Sequence, residues 1–249
     1  MKHNNTNNYI IGIIGLGFVG GAMLKSFSIK KIKIIGYDKY KNGGIGTLDE
    51  CLKCDILFLC LPTLFNSNTH QYDVSSIHEV CIQLHNNKYN GIVVIKSTVE
   101  PETTSTFAAM YSLKFVHNPE FLTARTAFKD FHTQKHIVLG KSANCTTHDI
   151  TILKDFYHIY YPNADISLCT SDESECMKIF ANSFYASKLQ ILNEYYLLCE
   201  KMGMDYNKIK SLMLKNGWIN PMHTNIPGHD GKLSYGGSCF PKDTNALCS

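Results

Sequence analysis

The chain has 249 residues, with 24 Lys and Arg against 21 Asp and Glu and a formal net charge of +3. That length is enough for one large domain or two modest ones, each burying its own core, and two are expected. Cations are scattered among acids without a basic block, which argues against a nucleic-acid surface. Ten cysteines are spread along the chain, Cys51 and Cys54 forming the one close pair, and no secretory leader is read, so a reducing cytoplasm is expected.

In chain order, "MKHNNTNNY" (1–9) has little to bury and reads as a flexible tail. The apolar stretch "YIIGIIGLGFVGGAML", Tyr9 to Leu24, is too short for a membrane span and is broken by five glycines. It reads as a buried strand entering a glycine turn, and no membrane association is expected. From Ile10 to Gly140, short β-branched runs alternate with amphipathic stretches, the pattern of a parallel sheet wrapped by helices. The strand candidates are "IIGIIG", "IKIIGYD", "DILFLCLP", "GIVVIKST", "KFVHNP" and "HIVLG"; helices are expected over 20–28, 75–85 and 102–111.

The pattern then changes. Residues 172–205 place apolar side chains at three- and four-residue steps, which predicts one long helix. Its face of Met177, Phe180, Phe184, Leu189, Leu192 and Tyr196 is too continuous for a solvated surface and suggests a homodimer. The domain boundary is expected near 165–172. The fold class is α/β: a Rossmann-like doubly wound sheet over 10–168, followed by a mainly α-helical central, dimerising domain over 169–249.

Gly15, Gly17 and Gly20 in "GLGFVG" fit the G-x-G-x-x-G fingerprint, with Phe18 and Val19 opening the helix, and Asp38 ends the next strand. The first glycine permits a tight turn, and the second lets a pyrophosphate approach the backbone. The helix N-terminus then offers N–H groups and a positive dipole end. Asp38 would accept both ribose hydroxyls and repel a 2′-phosphate, so NAD is expected over NADP. No metal-ligand set is singled out.

Further along lie "LPT" (61–63), "KST" (96–98), "NPEFL" (118–122), Lys178 with Asn182 one helical turn on, and "GGSCFPKD" (236–243). Together, in this order, these resemble the UDP-glucose/GDP-mannose dehydrogenase family. The resemblance implies oxidation of a nucleotide sugar's C6 alcohol to a carboxylate, UDP-glucose favoured, with reduction of two NAD. It implies that Cys239 is the nucleophile that captures the aldehyde and later leaves from a thioester. Lys242 would supply positive charge for the thiolate and for anionic ligand groups. Asp243, directly or with Lys178, would activate the hydrolytic water. By the same resemblance Lys178 steadies oxyanions and Asn182 holds it. Glu120 is the acid or base near the reacting carbon, Thr98 orients water and the nicotinamide, and Thr63 lines the nicotinamide pocket. For the two threonines, hydrogen bonding to local backbone is the competing reading.

The chain departs from the family pattern at two positions. Ala124 stands where a second glutamate is usual, and Trp218 falls near the place of an arginine that reaches the neighbouring subunit's substrate. The resemblance also implies a further nucleotide-sugar-binding domain beyond Ser249, supplied by a separate chain, replaced by looser recognition, or absent with loss of activity. Two other functions stay open: a two-electron dehydrogenase of the β-hydroxyacid type, and a non-catalytic NAD-binding partner of a complete enzyme.

Overall fold

A computed structural model describes residues 9–237 and 239–248; most of the expected tail, Ser238 and Ser249 lie outside the described residues. The chain divides into two compact units, one formed by residues up to 64 together with 72–177, the other by 65–71 together with residues from 178 onward.

The first unit is built on β1 (Ile11–Ile14), α1 (Phe18–Ile29), β2 (Ile34–Tyr37), α2 (Leu48–Cys51) and β3 (Ile56–Leu59). After the short strands β4 (Phe65–Asn66) and β5 (Gln71–Tyr72) come α3 (Ser75–Asn86), β6 (Ile92–Ile95), α4 (Thr103–Tyr111) and β7 (Lys114–His117). Then follow α5 (Ala127–His132), β8 (His136–Lys141), α6 (Thr147–Tyr160) and β9 (Asp165–Thr170). Seven strands form one sheet in the order β2-β1-β3-β6-β7-β8-β9. The central strands IGII, ILFL and IVVI are buried at every position. Such runs show no alternation because helices cover both faces of the sheet.

One face packs Phe27 against Phe58, Phe131 and Phe156, with ring centroids 5.6 to 5.9 Å apart, mostly edge-on. Each such ring contributes about 1.5–3 kcal/mol by leaving water. The other face packs Leu57, Leu59, Val93 and Ile95 against Ile77, Leu84 and Phe107 of α3 and α4. Local signals also set the helices: a capping box of Thr146 and Asp149 starts α6.

The sheet is not wholly parallel as the sequence suggests, because β8 pairs antiparallel with β7 and then parallel with β9 across the α6 crossover. The apolar run of β8 reports that both its faces are covered and carries no information on its direction.

Helix α7 (Ser171–Met202) is one continuous helix of 32 residues, as the sequence predicts. Its first turns belong to the first unit, where Ser174 Oγ lies 2.8 Å from Nδ1 of the buried His117. There Glu175 accepts hydrogen bonds from the Thr104 amide at 2.8 Å and from its hydroxyl at 2.5 Å. The rest of α7 joins α8 (Tyr206–Leu214) and α9 (Phe240–Leu247) in the second unit. A small core of Leu192, Cys199, Tyr206 and Ile226, flanked by Leu189 and Tyr196, holds that unit together. The apolar face expected on α7 therefore divides: Leu192 is buried, while Phe180 and Phe184 are 58% and 66% exposed on the single chain. Among the described residues, no helix is long and apolar enough to cross a membrane.

Candidate active site

The carboxyl ends of β1, β3, β6 and β7 carry the candidate residues of the first unit to one edge of the sheet. The turn after β1 is closed by two glycines that tolerate no side chain. Gly15 has φ +88, and a Cβ there would lie 2.4 Å from the carbonyl oxygen of Cys60; at Gly20 it would lie 1.9 Å from the carbonyl oxygen of Gly15. Gly17, between them, is different, because a Cβ there meets nothing within 4 Å. The chain's own packing thus explains the outer two glycines, and the open space at Gly17 fits a bound pyrophosphate. Gly17 is also the N-cap of α1, without a side-chain cap, and the first helical bond runs from Gly21 N–H to the Gly17 carbonyl at 2.9 Å. The amides of Phe18, Val19 and Gly20 consequently have no acceptor within the helix and head its positive end. Phe18 is 74% exposed at the rim, whereas Val19 packs on the core.

Asp38, just past β2, accepts from the Leu16 amide at 2.7 Å through Oδ2 and from the Tyr40 and Lys41 amides at 3.0 and 2.9 Å through Oδ1. Burial alone would push its carboxyl up. The three amides and the Lys41 charge outweigh burial and hold it below the usual carboxylate range. An ionised, partly exposed carboxylate beside the glycine turn suits ribose hydroxyls.

The loops after β3 and β6 are stitched together. Ser97 Oγ donates to the Leu61 carbonyl at 2.6 Å and accepts from the Leu61 amide at 3.1 Å, and buried Thr63 donates to the Thr98 carbonyl at 2.6 Å. The acceptor lies 35 positions away, so this bond joins two loops and is not the local one of the competing reading, and it leaves the Thr63 oxygen lone pairs toward other donors. Glu120, half-buried after β7, accepts from the Leu122 amide at 2.5 Å.

The second unit gathers the remaining candidates. Lys178 and Asn182, both buried, meet on one face of α7, with Lys178 Nζ donating to Asn182 Oδ1 at 3.4 Å. Asn182 Nδ2 donates in turn to Asp243 Oδ2 at 2.5 Å, and Lys242 Nζ lies 2.5 Å from Asp243 Oδ1. Asp243 is fully buried, so its charge is tolerable only with such partners. Cys239 is the exposed N-cap of α9, and its carbonyl accepts from the Asp243 amide at 2.9 Å. Thiol and carboxylate residues therefore share the first turn of one helix, with Pro241 in that turn as helix starts favour.

The sequence reading missed an aromatic stack in this unit. The His223 ring centroid lies 4.8 Å from that of Tyr185 and 5.0 Å from that of Phe240, the residue after Cys239. Burial, then the charges of Lys188 and Lys178, push the His223 imidazole below its ordinary value, favouring the neutral ring. No local signal marks this residue, since its neighbours come from two distant helices. Trp218, at the position expected for an arginine, is 89% exposed.

Residues 45–160 match the model of the NAD binding domain of the UDP-glucose/GDP-mannose dehydrogenase family, and residues 172–249 match that family's central domain. The chain is 34% identical over 209 residues to a UDP-glucose 6-dehydrogenase of Rickettsia bellii, covering 81% of this chain and 46% of that protein. It is 30% identical over 204 residues to a UDP-glucose 6-dehydrogenase of Bacillus subtilis, covering 78% of this chain and 44% of the other. The chain thus spans less than half the length of these relatives. In fold it matches a UDP-glucose dehydrogenase of Pyrobaculum islandicum with a TM-score of 0.81 and 23% identity, over 99% of this chain and 65% of that one. The glycine cradle and Asp38 fit the cofactor that the matched domain binds, NAD. The chain belongs to the UDP-glucose/GDP-mannose dehydrogenase family, of which it carries the NAD-binding and central domains.

Proposed function

We propose that this chain oxidises the C6 alcohol of a nucleotide sugar, UDP-glucose favoured, to the carboxylate, with Cys239 as covalent catalyst. The observation that carries the reading is the buried Lys178–Asn182–Asp243 relay, which ends on the helix headed by Cys239. Gly17 with the N-terminus of α1, and Asp38, would hold NAD, which when bound would supply the oxidising power, one NAD for each of the two oxidations.

The residues divide the remaining work. Glu120 takes or returns the proton at the reacting oxygen, Thr98 orients water, and Thr63 lines the nicotinamide pocket. At the aldehyde level the Cys239 thiolate, its proton passed to solvent, bonds to the carbonyl carbon, and the displaced π pair becomes an oxyanion that Lys178, held by Asn182, stabilises. A donor of this kind is worth about 3 kcal/mol in the transition state. After the second oxidation the adduct is a thioester; water attacks its carbon, the C–S bond breaks, and carboxylate and thiol are released. Asp243, bonded to Asn182 and next to Lys178 through it, receives the proton of that water, and Lys242 balances its charge.

Two further parts belong to this reading. The exposed Phe180, Phe184, Ile191, Tyr195, Leu198 and Met202 recur at helical steps along α7, a stripe suited to the same helix of a second copy. Contacts to the nucleotide come in part from a separate chain or segment, and the working compartment is the cytoplasm, where thiols such as Cys239 stay reduced.

The test is to incubate the protein with NAD and a panel of nucleotide sugars and to count NADH per sugar consumed. Two supports the reading; one excludes acid formation. Cys239→Ser is expected to abolish acid production while leaving NADH binding intact.

A further inference from the structure

The end of β6 holds a buried amine that the chemistry above does not use. Lys96 is 2% exposed, and its Nζ donates to Asn118 Oδ1 at 3.0 Å and to the Pro119 carbonyl at 3.4 Å. Tyr157 of α6, fully buried, donates its hydroxyl to the same Asn118 oxygen at 2.6 Å. Asn118 Nδ2 donates to the Val138 carbonyl at 2.7 Å, and its backbone amide to the Ile95 carbonyl at 2.9 Å. The Asn118 side chain is thereby held at both ends, by donors from β6 and α6 and by an acceptor on β8.

We propose that Lys96 is a positioning residue for the Glu120 carboxylate, an inference that rests on the role given to Glu120 above. The loop leaving β7 is fixed at consecutive residues. Asn118 is immobilised by four hydrogen bonds, Pro119 has φ set by its ring, and Lys96 reaches past Asn118 to the Pro119 carbonyl, the last acceptor before Glu120. The Glu120 carboxylate then turns back to the Leu122 amide at 2.5 Å, so its place depends on where the Pro119 carbonyl is held. Packing alone does not call for an amine here. Burying one is costly unless it is hydrogen-bonded, and a methionine would fill the same strand end without that cost. The amine does what an apolar chain cannot: it pins a carbonyl.

The proposal separates activity from stability. In Lys96→Met, Asn118 Oδ1 still accepts from Tyr157, so the melting temperature is expected to stay within a few degrees of wild type. The Pro119 carbonyl is released, and kcat is expected to fall by about tenfold or more, as misplaced catalytic groups do. NADH affinity and KM for the nucleotide sugar are expected within about twofold, because neither the glycine turn nor uniform binding is touched. Hydrogen exchange at the Leu122 amide is expected to rise in the same variant while the central strands stay protected. Tyr157→Phe, which keeps the amine and removes one bond to Asn118, should move both readouts the same way by less, and it serves if Lys96→Met does not fold. The proposal is overturned if kcat and Leu122 exchange are unchanged, or if melting temperature, NADH affinity and kcat fall in parallel. Absence of wild-type turnover with every nucleotide sugar would sink the functional reading instead, and Leu122 exchange in the variants would still decide on Lys96.

Discussion

Asn182 donates through Nδ2 to the buried carboxylate of Asp243 at 2.5 Å, tying the long helix to the one that Cys239 caps. The amide has both ends committed, since Lys178 donates to its oxygen. Asn182→Ala leaves a buried carboxylate short of a donor and should cost about 1–3 kcal/mol. Asp243→Asn keeps the shape and removes the base. It is expected to bind NADH normally and to accumulate a covalent adduct on Cys239, visible by mass spectrometry of the intact protein. A variant that turns over at the wild-type rate with no adduct would show that Asp243 takes no part in hydrolysis.

Two glycines of one turn should respond in opposite ways. At Gly20 an added methyl would meet backbone, so Gly20→Ala is expected to destabilise by about 1–3 kcal/mol or more. At Gly17 it meets open space, so Gly17→Ala should melt like wild type yet lose about tenfold or more in NADH affinity by fluorescence titration. Equal NADH affinity in Gly17→Ala would place the pyrophosphate elsewhere.

Glu175 makes stability depend on pH. Burial pushes its carboxyl up to about 7, against the opposing hydrogen bonds from Thr104. A folded-state value above the unfolded one means that the fold holds the proton more tightly. The stabilisation is complete below the unfolded value and fades as pH rises through about 7. Melting temperature should therefore decline across that window, and Glu175→Gln, which still accepts from Thr104, should flatten the slope. An unchanged slope in the variant would remove Glu175 from the explanation.

The stripe on α7 predicts a dimer by light scattering at micromolar concentration. Replacing both Phe180 and Phe184 with serine should shift the protein to monomer with little change in melting temperature, since neither ring is buried within a chain. A wild-type monomer at that concentration would overturn the assignment.

The sequence made the first unit legible because its signals are local. All-apolar four-residue strands, the glycine triplet and Asp38 at a strand end each announce themselves within a few residues. Lys178 and Asn182 were legible as a pair because a helix places every fourth residue on one face. The antiparallel setting of β8 was not legible, since strand direction depends on how a connection folds back. His223 and Tyr157 escaped for a similar reason: a ring acquires meaning from partners dozens of positions away, His223 from Tyr185 and Tyr157 from Asn118. Lys96 and Asn118 stand inside the KST and NPEFL stretches, but the bonds of Asn118 with Lys96 and with Tyr157 join β6, the loop after β7 and α6, which no local pattern announces.

The Asp243 amide bonds to the Cys239 carbonyl, so sulfur carrier and carboxylate ride on a single turn of backbone. Their spacing is a property of local geometry, set wherever α9 forms. Under the proposed chemistry, the two halves of catalysis thereby come apart. Discharge of an acylated Cys239 to water transfers no hydride, so a preformed acyl-enzyme should hydrolyse at one rate whether NAD, NADH or neither is supplied.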